Sequence, residues 1–291
     1  MNLYERSTIE AIKARHNFKL SKSLGQNFIT DHGVIEDIVM GSGAGENDLV
    51  IEIGPGIGVL TDEAASVAAK VIAIEIDEKL IPILGETLAH HDNVRIINAD
   101  ILKVDINDII REERESGSFS GDVKIMGNLP YYITTPIIMG LLESGVNADS
   151  VTIMMQKEVA DRIKAAPGSK AYGALSVAVQ YYCDVDLVAR VPKEVFVPRP
   201  KVDSAVLKLT IREEKPVELI DEKVFFACVR GGFGQRRKTL LNSLTGVCGL
   251  TKDQVRAVLE TVGVEPSRRA ETLDISEFAA IANEVTRQET V

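Results

Sequence analysis

Hydrophobic residues along the chain gather in short runs at 49–53, 71–76, 94–97, 123–126 and 151–155, with helix-sized stretches between them. Each run is four to six residues long and rich in Val and Ile. Largely apolar runs of this length, bounded by polar spacers, predict strands buried on both faces of a parallel sheet, with helices as the crossovers. Two further strands are predicted at 185–191 and 205–211, too close together for a crossover helix, so they should pair antiparallel. Beyond Glu213-Glu214-Lys215-Pro216 the pattern is helical only. Thr251-Lys252-Asp253-Gln254 predicts a capping box, Val255, Val258, Leu259 and Val262 fall on one helical face, and Gly263 ends the helix.

These elements predict an α/β fold with a mostly parallel seven-stranded sheet that ends in an antiparallel hairpin, followed by a small all-helical domain. The layout is that of the Rossmann-like class I methyltransferases and differs from that of nicotinamide dehydrogenases. The domain boundaries are expected at 1–215 and 216–291, with residues 1–30 a basic leading segment. A length of 291 residues suits one large core with an appendage.

Composition adds little until it is divided along the chain. The net charge is −10. Residues 1–30 hold five Lys/Arg against two Asp/Glu, residues 31–125 seven against twenty, and residues 188–240 twelve against seven. An acidic block between basic segments predicts a basic face for phosphates beside an acidic body. The N-terminus has no apolar signal core and no run approaches the roughly 20 residues of a membrane span. A cytoplasmic protein with no membrane association is expected. Cys183, Cys228 and Cys248 make no ligand pattern with the four histidines, so no metal and no disulfide is expected. His90-His91 beside Asp92 reads as a surface turn.

Three strand ends carry candidate chemistry. Glu52-Ile53-Gly54-Pro55-Gly56-Ile57-Gly58 puts a glycine turn after the first run, where a ligand can approach main-chain N–H groups. A dinucleotide fingerprint would need its third glycine at 59, where Val59 stands, so pyrophosphate binding is disfavoured. Glu75 ends the second run, where an acid can accept hydrogen bonds from both ribose hydroxyls, and Asp77 is expected to cap the next helix. Asp100 follows the third run and can accept from an adenine amino group.

Gly127-Asn128-Leu129-Pro130-Tyr131, after the fourth run, resembles the Asn/Asp-Pro-Pro-Tyr motif of methyltransferases that act on exocyclic amino groups. An adenine amino nitrogen is a poor nucleophile because its lone pair is delocalised into the ring. Acceptors at the Asn128 amide oxygen and the Leu129 carbonyl favour the pyramidal nitrogen that can attack a sulfonium methyl. Pro130 stiffens the turn, and Tyr131 offers a ring on which an extruded base stacks for about 1–3 kcal/mol.

Further segments make the chain similar, nearly end to end, to the KsgA/RsmA family of small-subunit ribosomal RNA adenine dimethyltransferases. They are Lys22-Ser-Leu-Gly-Gln26-Asn27-Phe28-Ile29, Asn128 to Pro136, Gln156 to Arg162, Tyr172 to Ser176, Phe196 to Ser204 and Gln235-Arg236-Arg237-Lys238-Thr239-Leu240. The resemblance implies S-adenosyl-L-methionine as cofactor, held by Asn27, Ile29, Gly54, Gly56, Glu75, Asp100 and Asn128. It implies a catalytic group of Asn128, Leu129, Pro130, Tyr131 and Phe196, with Phe196 facing the target adenine opposite Tyr131. The implied substrate is 16S rRNA in the small subunit or its precursor, dimethylated at N6 of two adjacent adenosines of the 3′-terminal hairpin loop during subunit maturation. A monomer is expected.

Candidates for phosphate contact are Lys19, Lys22, Arg199, Lys201, Arg236, Arg237 and Lys238, and the helical domain is expected to bind RNA or the ribosome. The chain departs from the family pattern at Tyr132, Ala174 and Arg199. It departs again at Gly231-Gly232-Phe233-Gly234, whose glycines, at about 1 kcal/mol each, should loosen the helix they sit in. Two other readings stand beside this one, a large-subunit adenine methyltransferase of macrolide-resistance type and a ribosome assembly factor that does not use catalysis. The segments at 196–204 and 235–240 speak against the first, and intact Glu75, Asn128 and Tyr131 against the second.

Overall fold

The structure, a computed structural model, describes residues 2–21 and 25–289, with residue 289 in its backbone only. Its strands in chain order are β1 (Phe28–Ile29), β2 (Leu49–Ile53), β3 (Lys70–Glu75), β4 (Val94–Asn98), β5 (Val123–Asn128), β6 (Ser150–Gln156), β7 (Cys183–Val191), β8 (Phe196–Val197) and β9 (Ser204–Ile211). The α-helices up to β6 are α1 (Arg6–Arg15), α2 (His32–Ser42), α3 (Val59–Ala65), α4 (Ile81–Thr87), α5 (Ile106–Glu115) and α6 (Thr134–Glu143). After β6 come α7 (Lys157–Ile163), α8 (Ala174–Tyr182), α9 (Glu222–Gly234), α10 (Leu240–Ser243), α11 (Lys252–Thr261) and α12 (Ile275–Glu289).

Seven strands form one sheet in the order β4-β3-β2-β5-β6-β9-β7. The pairs β4–β3, β3–β2, β2–β5 and β5–β6 are parallel, and β9 runs antiparallel to β6. All seven predicted strands are present, within a residue or two of their expected bounds. Every residue of β2 is buried, as a central strand covered on both faces requires. The chain leaves β2 toward β3 and β4 on one side and returns to β5 and β6 on the other, so the order reverses at β2 and β5. In open α/β sheets that reversal opens a crevice at the carboxyl ends of the strands.

A two-stranded ribbon was not foreseen. β1 pairs antiparallel with β8, with Phe28 opposite Val197 and Ile29 opposite Phe196. The Thr30 N–H and hydroxyl both donate to the Val195 carbonyl at 2.7 and 2.8 Å, which extends the pairing by one residue. The ribbon draws the N-terminal segment into an apolar cluster with Ile9, Ile12, Ile57, Leu60, Met154 and Phe196.

By packing, the chain divides into two units, residues 1–160 with 185–211, and residues 161–184 with 212–291. Residues 161–184, assigned from the sequence to the first domain, therefore group with the C-terminal helices. In that second unit the Thr251 capping box forms as predicted, with Gln254 N–H on the Thr251 hydroxyl and Thr251 N–H on Gln254 Oε1. The expected loosening of α9 is not observed, since the helix runs through Gly231 and Gly232 to Gly234. A Cβ on Gly231 would lie 2.3 Å from Val247 Cγ2, and one on Gly232 3.0 Å from Ala270 Cβ. These glycines stand where neighbouring elements come too close for a side chain.

Candidate active site

The crevice at the sheet's switch point is a cavity of about 1050 Å³ of non-atom space, partly open to solvent. Its walls come from the ends of β2, β3, β4 and β5 and from residues 25–29. All of Asn27, Ile29, Gly54, Gly56, Glu75, Asp100, Asn128, Leu129, Pro130 and Tyr131 line it. One hollow thus collects residues spread over a hundred positions of sequence.

The glycine turn has positive φ at Gly54, Gly56 and Gly58, a conformation that a Cβ would strain. At Gly56 a Cβ would also lie 2.9 Å from the Phe28 ring, so the turn and the N-terminal segment close on each other only with glycine there. Glu75 is buried at the end of β3 and takes the Gly56 N–H on Oε2 at 3.2 Å and the Asp77 N–H on Oε1 at 2.8 Å. Burial pushes its pKa up, while those two N–H groups favour the charged form. Asp100 takes the Leu102 N–H on Oδ1 at 3.1 Å and so also caps the short 3₁₀ turn after β4. Asp77 does not cap α4, whose N-cap is Leu80. It accepts instead from Lys79 N–H at 3.1 Å and from Gln26 Nε2 at 2.9 Å, tying the turn after β3 to the N-terminal segment.

Asn128 ends β5. Its Nδ2 donates to the Asn27 carbonyl at 2.9 Å, and Asn27 Nδ2 in turn donates to the Gly25 carbonyl at 2.9 Å. With the amide nitrogen so committed, its Oδ1 is the end left to accept. Tyr131 is half-buried, and its hydroxyl shares a 2.8 Å hydrogen bond with Ser204 Oγ at the start of β9. Burial raises its pKa, so the phenol stays protonated.

Phe196 lies outside the cavity lining. Its Cα stands opposite Ile29 in the ribbon, but the side chain is 1 % exposed within the apolar cluster and does not line the cavity. Ribbon pairing buries the ring that the resemblance would turn toward a base.

The basic candidates also separate. Arg236 Nη2 donates to the carbonyls of Lys170 and Tyr172 at 2.9 and 3.0 Å, and Glu271 lies 3.7 Å away. Residues 235–237 form a turn after α9. Arg199 is paired with Glu194. Lys19, Lys201, Arg237 and Lys238 are exposed, and Lys22 lies outside the described residues.

A sequence profile of the ribosomal RNA adenine dimethylase family matches residues 17–287. The chain belongs to that family. It is 48 % identical over 281 residues to "Ribosomal RNA small subunit methyltransferase A" of Clostridioides difficile, covering 97 % of this chain and 96 % of that protein. To the protein of the same name from Alkaliphilus metalliredigens it is 50 % identical, covering 97 % and 98 %. Among solved structures it is similar to a dimethyladenosine transferase from Plasmodium falciparum, with TM-score 0.75 and 26 % identity over 90 % of this chain and 98 % of that one. It is also similar to the 23S rRNA methyltransferase ErmE, with TM-score 0.65 and 26 % identity over 89 % and 99 %. This dimethylase is an S-adenosylmethionine-dependent ribosomal RNA methyltransferase, and its reaction is adenine dimethylation. Its cavity fits the cofactor chemically, with two acids held at neighbouring strand ends and the apolar side chains of Ile76 and Ile101 beside them.

Two residues of the dimethylase site were missed in the sequence. Glu52 lines the cavity, is 1 % exposed and accepts from the Thr61 hydroxyl at 2.5 Å. Burial pushes its pKa up to about 8, with the Thr61 bond opposing and the nearby Glu75 charge adding. An acid in a fully buried strand was the available signal. Ser204 was read only as the end of a segment, and its hydrogen bond to Tyr131 spans 73 residues. No helix among the described residues is long and apolar enough to cross a membrane.

Proposed function

We propose that the enzyme transfers methyl groups to N6 of two adjacent adenosines in the 3′-terminal hairpin loop of 16S rRNA. It acts on the small subunit or its precursor, in the cytoplasm and as a monomer. The small-subunit substrate is supported by relatives of about 50 % identity named for that subunit, against 26 % for the large-subunit enzyme ErmE.

The observation that carries the reading is the orientation of Asn128 inside the cavity that also holds Glu75 and Asp100. Glu75 accepts from the ribose hydroxyls and Asp100 from the cofactor's adenine amino group. Gly54 and Gly56 admit the ligand to the backbone, and Asn27 and Ile29 close the N-terminal side. The cofactor supplies a sulfonium methyl. Asn128 Oδ1 and the Leu129 carbonyl accept from the target amine and hold its lone pair toward that methyl, so catalysis is positioning and charge placement. Pro130 fixes the turn, and the Tyr131 ring, steadied by Ser204, stacks the base. A mono-methylated amine keeps one N–H, so a second transfer needs only one of the acceptors. Exposed Arg237, Lys238, Lys201 and Lys19 are the phosphate contacts of this reading, and the C-terminal helices serve RNA or ribosome binding.

Asn128→Ala is expected to reduce transfer by about 10²–10³-fold, with cofactor affinity changed only a few-fold. Glu75→Ala should instead weaken cofactor binding by roughly tenfold or more, the worth of hydrogen bonds to a charged acceptor. Single-turnover rates and calorimetric titration separate the two. Near-normal turnover in Asn128→Ala would sink the assignment.

A further inference from the structure

His90 and His91 follow α4, and the turn there sends both rings to the same side, with centroids 4.1 Å apart. Asp92, the acid beside them in sequence, is not their partner. That partner is Asp62, in the first turn of α3 and nearly thirty residues earlier. His90 Nε2 lies 2.9 Å and His91 Nε2 2.8 Å from the same oxygen, Asp62 Oδ1. The three ligand atoms lie within 4.8 Å of one another, one from α3 and two from the turn after α4, with β3 between them in the chain.

From this convergence we propose a binding site for one divalent transition-metal ion, ligated by Asp62, His90 and His91. The donor set decides the class of ion, because two imidazole nitrogens and one carboxylate oxygen suit zinc, nickel or cobalt and not the all-oxygen preference of calcium or magnesium. Bonds of about 2.1 Å to the ion place neighbouring ligand atoms about 3.0 Å apart in an octahedron and about 3.4 Å in a tetrahedron. The observed 2.8 and 2.9 Å separations from Asp62 Oδ1 to the two imidazole nitrogens are close to the octahedral edge. Both imidazoles bind through Nε2 in the tautomer that keeps the proton on Nδ1. His90 is 56 % exposed and His91 14 %, so water completes the shell on the His90 side.

The site's place in the fold gives it a consequence. α3 begins directly after the glycine turn, and α4 follows the strand that ends in Glu75. The two helices already meet there, since Thr87 Oγ1 donates to the Ile57 carbonyl at 3.0 Å and a Cβ on Gly58 would lie 3.1 Å from Leu88. An ion on Asp62, His90 and His91 staples the two elements that carry the glycine turn and Glu75, and so stiffens the cofactor cavity from behind without entering it.

The test uses the full chain without a polyhistidine tag, titrated calorimetrically with zinc chloride and followed by thermal melting. Wild type is expected to bind one ion per chain and to melt at higher temperature with zinc than without. His91→Asn and Asp62→Asn should each weaken binding by at least about tenfold and abolish the thermal shift. His32→Asn should leave both unchanged, although His32 lies 3.5 Å from Glu63 on the same helix. Melting without metal and cofactor titration show whether each variant is folded. Absence of a site in wild type, or equal zinc affinity in wild type and in the folded His91→Asn and Asp62→Asn variants, would overturn the proposal.

Discussion

At the scale of single residues, hydrogen bonds decide what each side chain can offer. Asn128 presents its oxygen because its nitrogen is spent on the Asn27 carbonyl. Glu52 sits in the same cavity with the opposite character. Its pKa is raised to about 8 from an ordinary 4.5, so the folded protein holds a proton there that the unfolded chain releases. Between those values the native state binds the Glu52 proton and the unfolded chain does not, so the contribution of Glu52 to stability falls as pH rises from about 4.5 to about 8. Glu52→Gln removes that slope. Its melting temperature should stay close to wild type near pH 5 and exceed it near pH 8.5, by roughly 2–4 °C for each kcal/mol of penalty removed. A variant less stable than wild type by the same amount at both pH values would show that Glu52 carries no such burden. Glu75, Asp100 and Asn128 were legible as residues lining the cavity because each lies at or just past the carboxyl end of a strand, where open α/β sheets form their crevice. The burial of Phe196 was not, because it depends on a ribbon pairing that no local pattern encodes.

At the scale of elements, strands were legible where a run of Val and Ile had to be covered on both faces, as in β2 and β6. β1 and β8 have two residues each, too few to show a period, and their partners are 168 or so positions apart. Helix α9 is the instructive failure. Propensity ranks its glycines as weak points, worth about 1 kcal/mol each against alanine, whereas packing at Gly231 and Gly232 makes them necessary. The two effects can be weighed within one helix. Gly231→Ala should destabilise, because an inserted methyl at 2.3 Å from Val247 costs about 1–3 kcal/mol of overpacking. Gly234→Ala meets nothing within 4 Å and should be neutral or stabilising. Thermal melts that moved in the same upward direction for both would return the argument to propensity.

At the scale of the whole molecule, ion pairing within the protein bears on the expected basic face. In the leading segment Lys13 pairs with Glu10, and Arg15 and His16 with Glu86, so part of its charge is answered internally. Arg236, although exposed, likewise holds two carbonyls, beside the exposed Arg237 and Lys238. The double variant Arg237→Ala, Lys238→Ala should lower the slope of log affinity for small subunits against log salt by about 1.5 units, at 0.7–0.9 for each phosphate contact. Arg236→Ala should lower the melting temperature more than the slope. Equal slopes for wild type and the double variant would place the RNA surface elsewhere.

Which base is methylated, and how far, distinguishes this enzyme from its large-subunit counterparts. The most direct measurement supplies labelled S-adenosylmethionine to unmodified small and large subunits separately, then digests the RNA and identifies the nucleosides by mass spectrometry. The expected product is N6,N6-dimethyladenosine, two residues per small subunit, both from the 3′-terminal hairpin, with only traces from Asn128→Ala in the time that completes the wild-type reaction. Label recovered from the large subunit, or adenosine that stops at one methyl when the reaction is complete, would contradict it.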